Sequence, residues 1–286
     1  MTKNNPQVVL ITGCSSGFGL LTAARLASLG HKVYASMRNP EKKDSLLSEV
    51  HKRGGELKVL RLDVTKKESI KEAVSSIAHQ EGHLDVLVNN AGFGIGGFFE
   101  DMSEEEIRDQ METNFFGVQN VIREVIPLMR PRKKGKIINI SSVSGFSAYP
   151  GFSAYIASKH ALEGYTETLY HELALFNIKV ANINPGIYRT KFFEENARYA
   201  SKWNDPQSPY YRVSQNIYQL VMNNVRQSKR DPEDIARLVE EIMNTANPAF
   251  HYFPDLQSKA TYLVRKIFPF SWYSALMRQV FFDKVK

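Results

Sequence analysis

The stretch Val8-Val9-Leu10-Ile11-Thr12-Gly13-Cys14-Ser15-Ser16-Gly17-Phe18-Gly19 sets the architecture expected of the whole chain. Four apolar residues read as a buried strand. From Gly17 to Leu29 the apolar side chains Leu20, Leu21, Ala24 and Ala27 recur on one helical face, and Gly30 ends the pattern. Three glycines, spaced G-x3-G-x-G, fall at the junction of strand and helix. In such a junction Gly13 permits a tight turn, Gly17 lets a pyrophosphate approach the backbone, and Gly19 lets the helix pack on the sheet. The helix N-terminus then offers free N–H groups to an anion. A glycine triplet alone is an ordinary turn signal. At the first strand–helix junction of an alternating chain it points to a dinucleotide, with Ser15, Ser16 and Phe18 in the same loop.

The alternation continues outward. Apolar runs at Lys32–Ser36, Leu57–Leu62, Val86–Asn89, Lys136–Ile140, Lys179–Asn184 and His251–Phe253 read as strands. Helical patterns cover Pro40–Lys52, Lys67–Gln80, Ser103–Met129, Tyr155–Phe176 and a segment opened by Asp231-Pro232-Glu233-Asp234. Strands apolar on both faces, alternating with helices, predict an α/β fold. The expected form is a doubly wound, mostly parallel sheet of Rossmann type, about seven strands with helices on both faces. The chain reads as a single domain over 1–286, with a substrate-loop insertion of short helices at 190–230 and an amphipathic extension at 256–286. In such sheets ligands bind beyond the carboxyl ends of the strands, so residues just after strands are the candidates for function.

Composition narrows the function classes. The 286 residues carry 43% hydrophobic and 23% charged side chains, ordinary for a globular protein. The one cysteine, Cys14, excludes an intrachain disulfide, and no secretory signal opens the chain, so a cytoplasmic location is expected. The net charge of +7 is spread along the chain without an arginine-rich run, which argues against a nucleic-acid partner. No metal site is assigned.

After the second strand no acid precedes Glu41, although an acid near there would read the ribose of NAD. Arg38 stands in that region and can pair with a 2′-phosphate, which favours NADP(H) over NAD(H). After the third strand Asp63 and Val64 reach the adenine side. After the fourth, Asn90, Ala91 and Gly92 let the backbone pass close to a ribose. After the fifth, Ser142 reaches toward Tyr155 and Lys159, which share one helix face at i and i+4. A hydroxyl, a phenol and a cation in one small volume suggest acid–base chemistry on a carbonyl or an alcohol.

With these residues in order, the chain resembles the short-chain dehydrogenase/reductase superfamily over roughly residues 6–255, in its short single-domain class. It is most similar to the branch of 17β-hydroxysteroid and retinol dehydrogenases. The resemblance implies that Tyr155 is the general acid/base, with Lys159 lowering its phenol pKa and holding the nicotinamide ribose. It implies that Ser142 polarises the substrate oxygen, and that Asn114 is a helix-distorting residue holding a water that links Lys159 to solvent. It places Pro185, Gly186, Ile187 and Thr190 over the nicotinamide amide and the pyrophosphate. It also implies a homodimer or homotetramer formed through the helices at 103–129 and 155–176.

Loops rich in aromatics close the site: Phe93, Ile95, Phe98, Phe99, Phe146, Tyr149, Phe152, Phe192 and Phe193, with Tyr210 and Tyr211 further on. Phe93, Tyr149 and Phe192 are the candidate substrate contacts beside Ser142 and Tyr155. They suit a bulky apolar ketone or aldehyde, or the matching alcohol. The tail from 258 carries Lys259, Arg265, Lys266, Arg278, Lys284 and Lys286 against Asp283, interleaved with aromatics. Docking of this tail as a lid or subunit contact is expected ahead of membrane contact.

Overall fold

The computed structural model describes residues 5–192 and 196–282. The apolar runs form β1 (Val8–Ile11), β2 (Lys32–Met37), β3 (Lys58–Arg61) and β4 (Val86–Asn89). Further along come β5 (Gly94–Gly96), β6 (Gly135–Ile140), β7 (Ile178–Ile183), β8 (Ala197–Tyr199) and β9 (His251–Tyr252). Seven of these make one sheet in the order β3-β2-β1-β4-β6-β7-β9, and every pairing in it is parallel. The chain winds outward from β1 through β2 and β3, then returns to pair β4 on the other side of β1. That reversal opens the crevice in which ligands of doubly wound sheets bind.

Period-two alternation divides the strand side chains between two faces. Val9 and Ile11 pack against α1 (Gly17–Ser28), α2 (Asp44–Lys52) and α8 (Glu233–Asn244), through Leu26, Leu46 and Val239 among others. Val8 and Leu10 face α3 (Lys67–Glu81), α5 (Gly117–Met129) and α6 (Ser153–Ala174), through Ile77, Val121 and Leu169. Each such aliphatic side chain, fully buried, contributes about 1.5–3 kcal/mol. Both faces of the sheet are therefore covered, as the apolar strands predict.

Two segments depart from expectation. The helix expected over 103–129 is divided into α4 (Glu104–Met111), opened by a Ser103–Glu106 capping box, and α5, with a wide π-helical turn at Glu112–Phe116 between them. The turn is centred on buried Asn114, whose side chain bonds outside the helix. Among the described residues the insertion at 190–230 holds a long helix, α7 (Tyr211–Gln227), where short ones were expected, preceded by β8, which pairs with β5. Its stripe Ile217–Val221–Val225 has helical spacing, hidden in the sequence by the surrounding polar residues. The tail forms α9 (Leu256–Ile267), capped by Asp255, and α10 (Phe270–Phe281). Phe193, Asp283, Lys284 and Lys286 lie outside the described residues.

Candidate active site

The glycine loop is built around Asn90 and Thr12. Thr12 Oγ1 accepts from the backbone N–H groups of Asn90 and Ala91, each at 3.0 Å. Asn90 Nδ2 donates back to the carbonyls of Thr12 (2.9 Å) and Gly13 (2.8 Å). Gly13 has φ +72°, and a Cβ there would lie 2.7 Å from Ala91 Cα. Gly19 is a correction to the sequence reading. A Cβ at Gly19 would lie 2.4 Å from both Asn90 Nδ2 and the Gly13 carbonyl, so this glycine admits the Asn90 side chain rather than helix–sheet packing. Gly17, at φ +58°, has nothing nearer its Cβ position than Thr190 at 3.9 Å, which leaves the backbone open to a ligand. The first turn of α1 carries no acid, and Ser16 makes no side-chain cap, so its N–H groups remain available. Cys14 points into the core, where burial pushes its thiol up to about 12.

Arg38, past the end of β2, is exposed on the cavity wall and makes no ion pair or hydrogen bond among the described residues. Asp63 lines the cavity and uses Oδ1 to accept from the Thr65 N–H and hydroxyl, while Oδ2 makes no hydrogen bond among the described residues.

On the opposite wall Ser142 ends the segment after β6, its Oγ accepting from the Ser144 N–H at 3.1 Å. Tyr155 and Lys159 lie one turn apart on α6. Lys159 Nζ donates to the Ile140 carbonyl at 2.9 Å and sits 6.0 Å from the centre of the Tyr155 ring. Burial pulls Lys159 down to about 8, against the opposing pull of the Glu163 carboxylate. Burial pushes the Tyr155 phenol above its ordinary value, with Tyr149 adding to the rise and a hydrogen bond with Ser142 opposing it.

Asn114 is 1% exposed. Its Oδ1 accepts from the Phe93 N–H (3.1 Å), and its Nδ2 donates to the Phe93 carbonyl (2.9 Å) and to Ser158 Oγ (3.2 Å). The side chain thus pins the 93 loop to α6. Glu163, one turn beyond Lys159, went unassigned in the sequence. Its Oε1 accepts from Ser141 Oγ (2.5 Å) and Asn184 Nδ2 (2.6 Å), and its Oε2 from Asn182 Nδ2 (3.0 Å) and His251 Nε2 (2.9 Å). Burial raises this carboxyl, but the bonds from His251, Ser141 and Asn184 outweigh it and hold the group below the usual carboxylate range. The stripe Tyr155–Lys159–Glu163 at spacing four was its only sequence signal.

All the predicted site residues except Gly19 line one cavity of about 900 Å³. Of the loop aromatics, Phe93, Tyr149, Phe152 and Phe192 face it, the Phe192 ring 6.3 Å from that of Tyr155. Phe98 instead stacks on Tyr210 at 4.4 Å, and Phe146 packs against Phe253 and Tyr262. Tyr199, Trp203 and Tyr218 of the insertion join the wall, which sequence reasoning missed. The tail docks over the same cavity. Tyr273 Oη donates to the Ala148 carbonyl (2.7 Å) and lies 2.6 Å from Ser147 Oγ, while Phe281 stacks on Tyr149 at 6.0 Å.

The family model described as short chain dehydrogenase matches residues 7–200 of this chain. The chain is a short-chain dehydrogenase/reductase. It is 38% identical over 284 residues to an uncharacterized oxidoreductase, YusZ, of Bacillus subtilis, covering 97% of this chain and 99% of that protein. It is 36% identical over 256 residues to retinol dehydrogenase 8 of Bos taurus, covering 85% of this chain and 80% of that one. Its fold matches the crystal structure of a short-chain dehydrogenase from Streptomyces avermitilis with TM-score 0.81 and 32% identity, over 96% of each chain. The dehydrogenase/reductase thus falls in the branch that includes retinol and 17β-hydroxysteroid dehydrogenases. The order Ser142, Tyr155, Lys159 that carried the resemblance is found in this reductase around a single cavity.

Proposed function

We propose that this chain is an NADP(H)-dependent oxidoreductase that interconverts a bulky apolar ketone or aldehyde and its alcohol, with Tyr155 as general acid/base. One observation carries this reading: Ser142, Tyr155 and Lys159 line the same cavity as the glycine loop. The cofactor fits the residues present. Gly17 leaves open backbone, α1 offers free N–H groups, Asp63 retains a carboxylate oxygen, and the volume suits a ligand of that class. When bound, the nicotinamide supplies or accepts the hydride at the carbon of the substrate. Tyr155 gives its proton to the carbonyl oxygen in reduction and takes it back in oxidation. Ser142 donates a hydrogen bond to that oxygen as charge develops there. Lys159 holds a positive charge beside the phenolate that forms. The apolar substrate class is supported by Phe93, Phe152, Phe192 and Trp203 on the wall. A screen of ketones and aldehydes of increasing bulk, followed by NADPH absorbance, tests it. Turnover confined to small polar carbonyls would overturn the class.

NADP(H) rests on Arg38 and the missing acid. Arg38→Ala should weaken NADPH binding by about 10–100-fold, the range for a hydrogen bond to a charged group, and leave NADH binding unchanged. Equal losses for both cofactors would remove Arg38 from that role.

The pH profile of the reduction follows from Lys159. Tyr155, raised by burial, remains protonated through neutral pH, so the group that loses its proton first is Lys159, at about 8. The kcat/KM for reduction should be flat below that pH and fall above it. Glu163 raises the Lys159 value, so Glu163→Gln should move the falling limb to lower pH. A limb that stays in place would show that Glu163 only holds the strands together.

We extend the reading to a homo-oligomer formed through α4, α5 and α6, where Tyr170 on α6 and Leu175 at its end are exposed apolar side chains.

A further inference from the structure

α9 and α10 have two differently used sides. The inner side of α10 presents Tyr273, Met277 and Phe281 to the cavity and its loops. The outer side is apolar and uncovered. Of sixteen exposed large apolar side chains among the described residues, nine belong to residues 256–282, less than a tenth of the chain. Four of the nine, Ile267, Phe268, Phe270 and Trp272, sit at the joint between the helices, where Ile267 is 70% exposed, Phe270 69% and Trp272 64%, and the rings of Phe268 and Trp272 lie 5.9 Å apart.

The charges around this face have one sign. Lys259, Arg265, Lys266 and Arg278 lie within the two helices, and no acid occurs between 256 and 282. None of the four is in an ion pair among the described residues. Arg265 is partly covered, its guanidinium 4.8 Å from the Tyr273 ring and 5.8 Å from that of Phe270, whereas Lys259, Lys266 and Arg278 are exposed.

We infer that this face docks on an anionic lipid surface. Aromatic and aliphatic side chains set among lysines and arginines on short helices are the composition of an element that lies in a membrane interface. Among the described residues no helix is long and apolar enough to cross a membrane, so the contact is one of lying on the surface. Charge selects lipid over a second copy of the chain. A two-fold contact would bring the same patch of each copy together, cation against cation, with no acid in the stretch to pair them. Met277, Val280 and Phe281 of α10 line the cavity, so the lipid-facing helix is part of the wall of the site. If the apolar substrate class proposed above holds, a carbonyl compound dissolved in the lipid meets the site beside that helix.

Flotation of the full chain with vesicles tests the surface without any substrate, so its outcome is separate from that of the reaction. Vesicles of phosphatidylcholine with phosphatidylglycerol should carry the protein, and vesicles of phosphatidylcholine alone should not. Binding should fall with added salt. Lys266→Glu should lower it by at least about five-fold, the contribution of one cation near an anionic surface. Phe270→Ser combined with Trp272→Ser should abolish it while the melting temperature and NADPH binding stay as in the parent. Absence of binding to the anionic vesicles, or equal binding to both vesicle types, would overturn the inference. So would self-association in solution that the Phe270/Trp272 variant abolishes, since the face would then belong to a second copy.

Discussion

Tyr155→Phe should lower kcat/KM for carbonyl reduction by about 10²–10⁴-fold, the contribution of a positioned general acid, while NADPH still binds. The substitution removes one hydroxyl and keeps the ring, whose contact with Phe192 holds it in the cavity wall. The reacting oxygen then has no proton donor at that point. Ser142 cannot replace it, because its hydroxyl is a far weaker acid than a phenol. The groups proposed for the cofactor, from Gly13 through Arg38 and Asp63 to Ala91, lie on other elements and are untouched. Single-turnover NADPH oxidation and NADPH fluorescence titration separate the two effects. Turnover within about ten-fold of the parent would remove Tyr155 from its role and leave the reaction without its acid.

Gly13→Ala should be the most damaging change in the cofactor loop, and its first effect should be on stability. At φ +72° an alanine costs about 1–2 kcal/mol in backbone strain. Its Cβ would also sit 2.7 Å from Ala91 Cα, a backbone atom that cannot rotate away. Forcing one carbon into packed surroundings costs about 1–3 kcal/mol more. The melting temperature should fall by roughly 3–8 °C, and NADPH binding should fall with it, because the displaced Ala91 segment carries the bonds to Thr12. Gly30→Ala supplies the comparison. Gly30 has φ +81° and nothing within 4 Å of its Cβ position, so only the strain cost applies. Equal falls in the two variants would mean that the close approach to Ala91 contributes nothing.

These effects differ in how far they could be read in the chain itself. The inner strands β1, β2, β4, β6 and β7 were legible because both faces of each are largely buried, which leaves near-continuous apolar runs between glycine, proline and charged breaks. The trio proposed for catalysis was legible because Ser142 follows a strand and Tyr155 and Lys159 share a helical spacing. The reason for Gly19 was not. Its constraint comes from Asn90, seventy-one positions away, whose amide enters the space a side chain would take. Thr12 and Glu163 were passed over for the same reason. A threonine after a strand and a glutamate on a helix are ordinary until their partners are known, and those partners are backbone amides, asparagines and His251 from other elements. In α7 only Ser214, Ile217 and Val225 are buried, in a polar segment, too weak a period to stand out.

By itself the sequence determined what is local or periodic: the alternation of strands and helices, the glycine turn, the missing acid near Arg38, and the pairing of Tyr155 with Lys159 on one face. Those follow from backbone sterics and side-chain spacing, which act over a few residues. The tertiary structure alone decided which aromatics face the cavity, that α10 closes over it, and that burial drives the Tyr155 and Lys159 proton affinities in opposite directions. Desolvation and packing depend on everything within a few ångströms in space, and here those neighbours are drawn from residues 13 to 281.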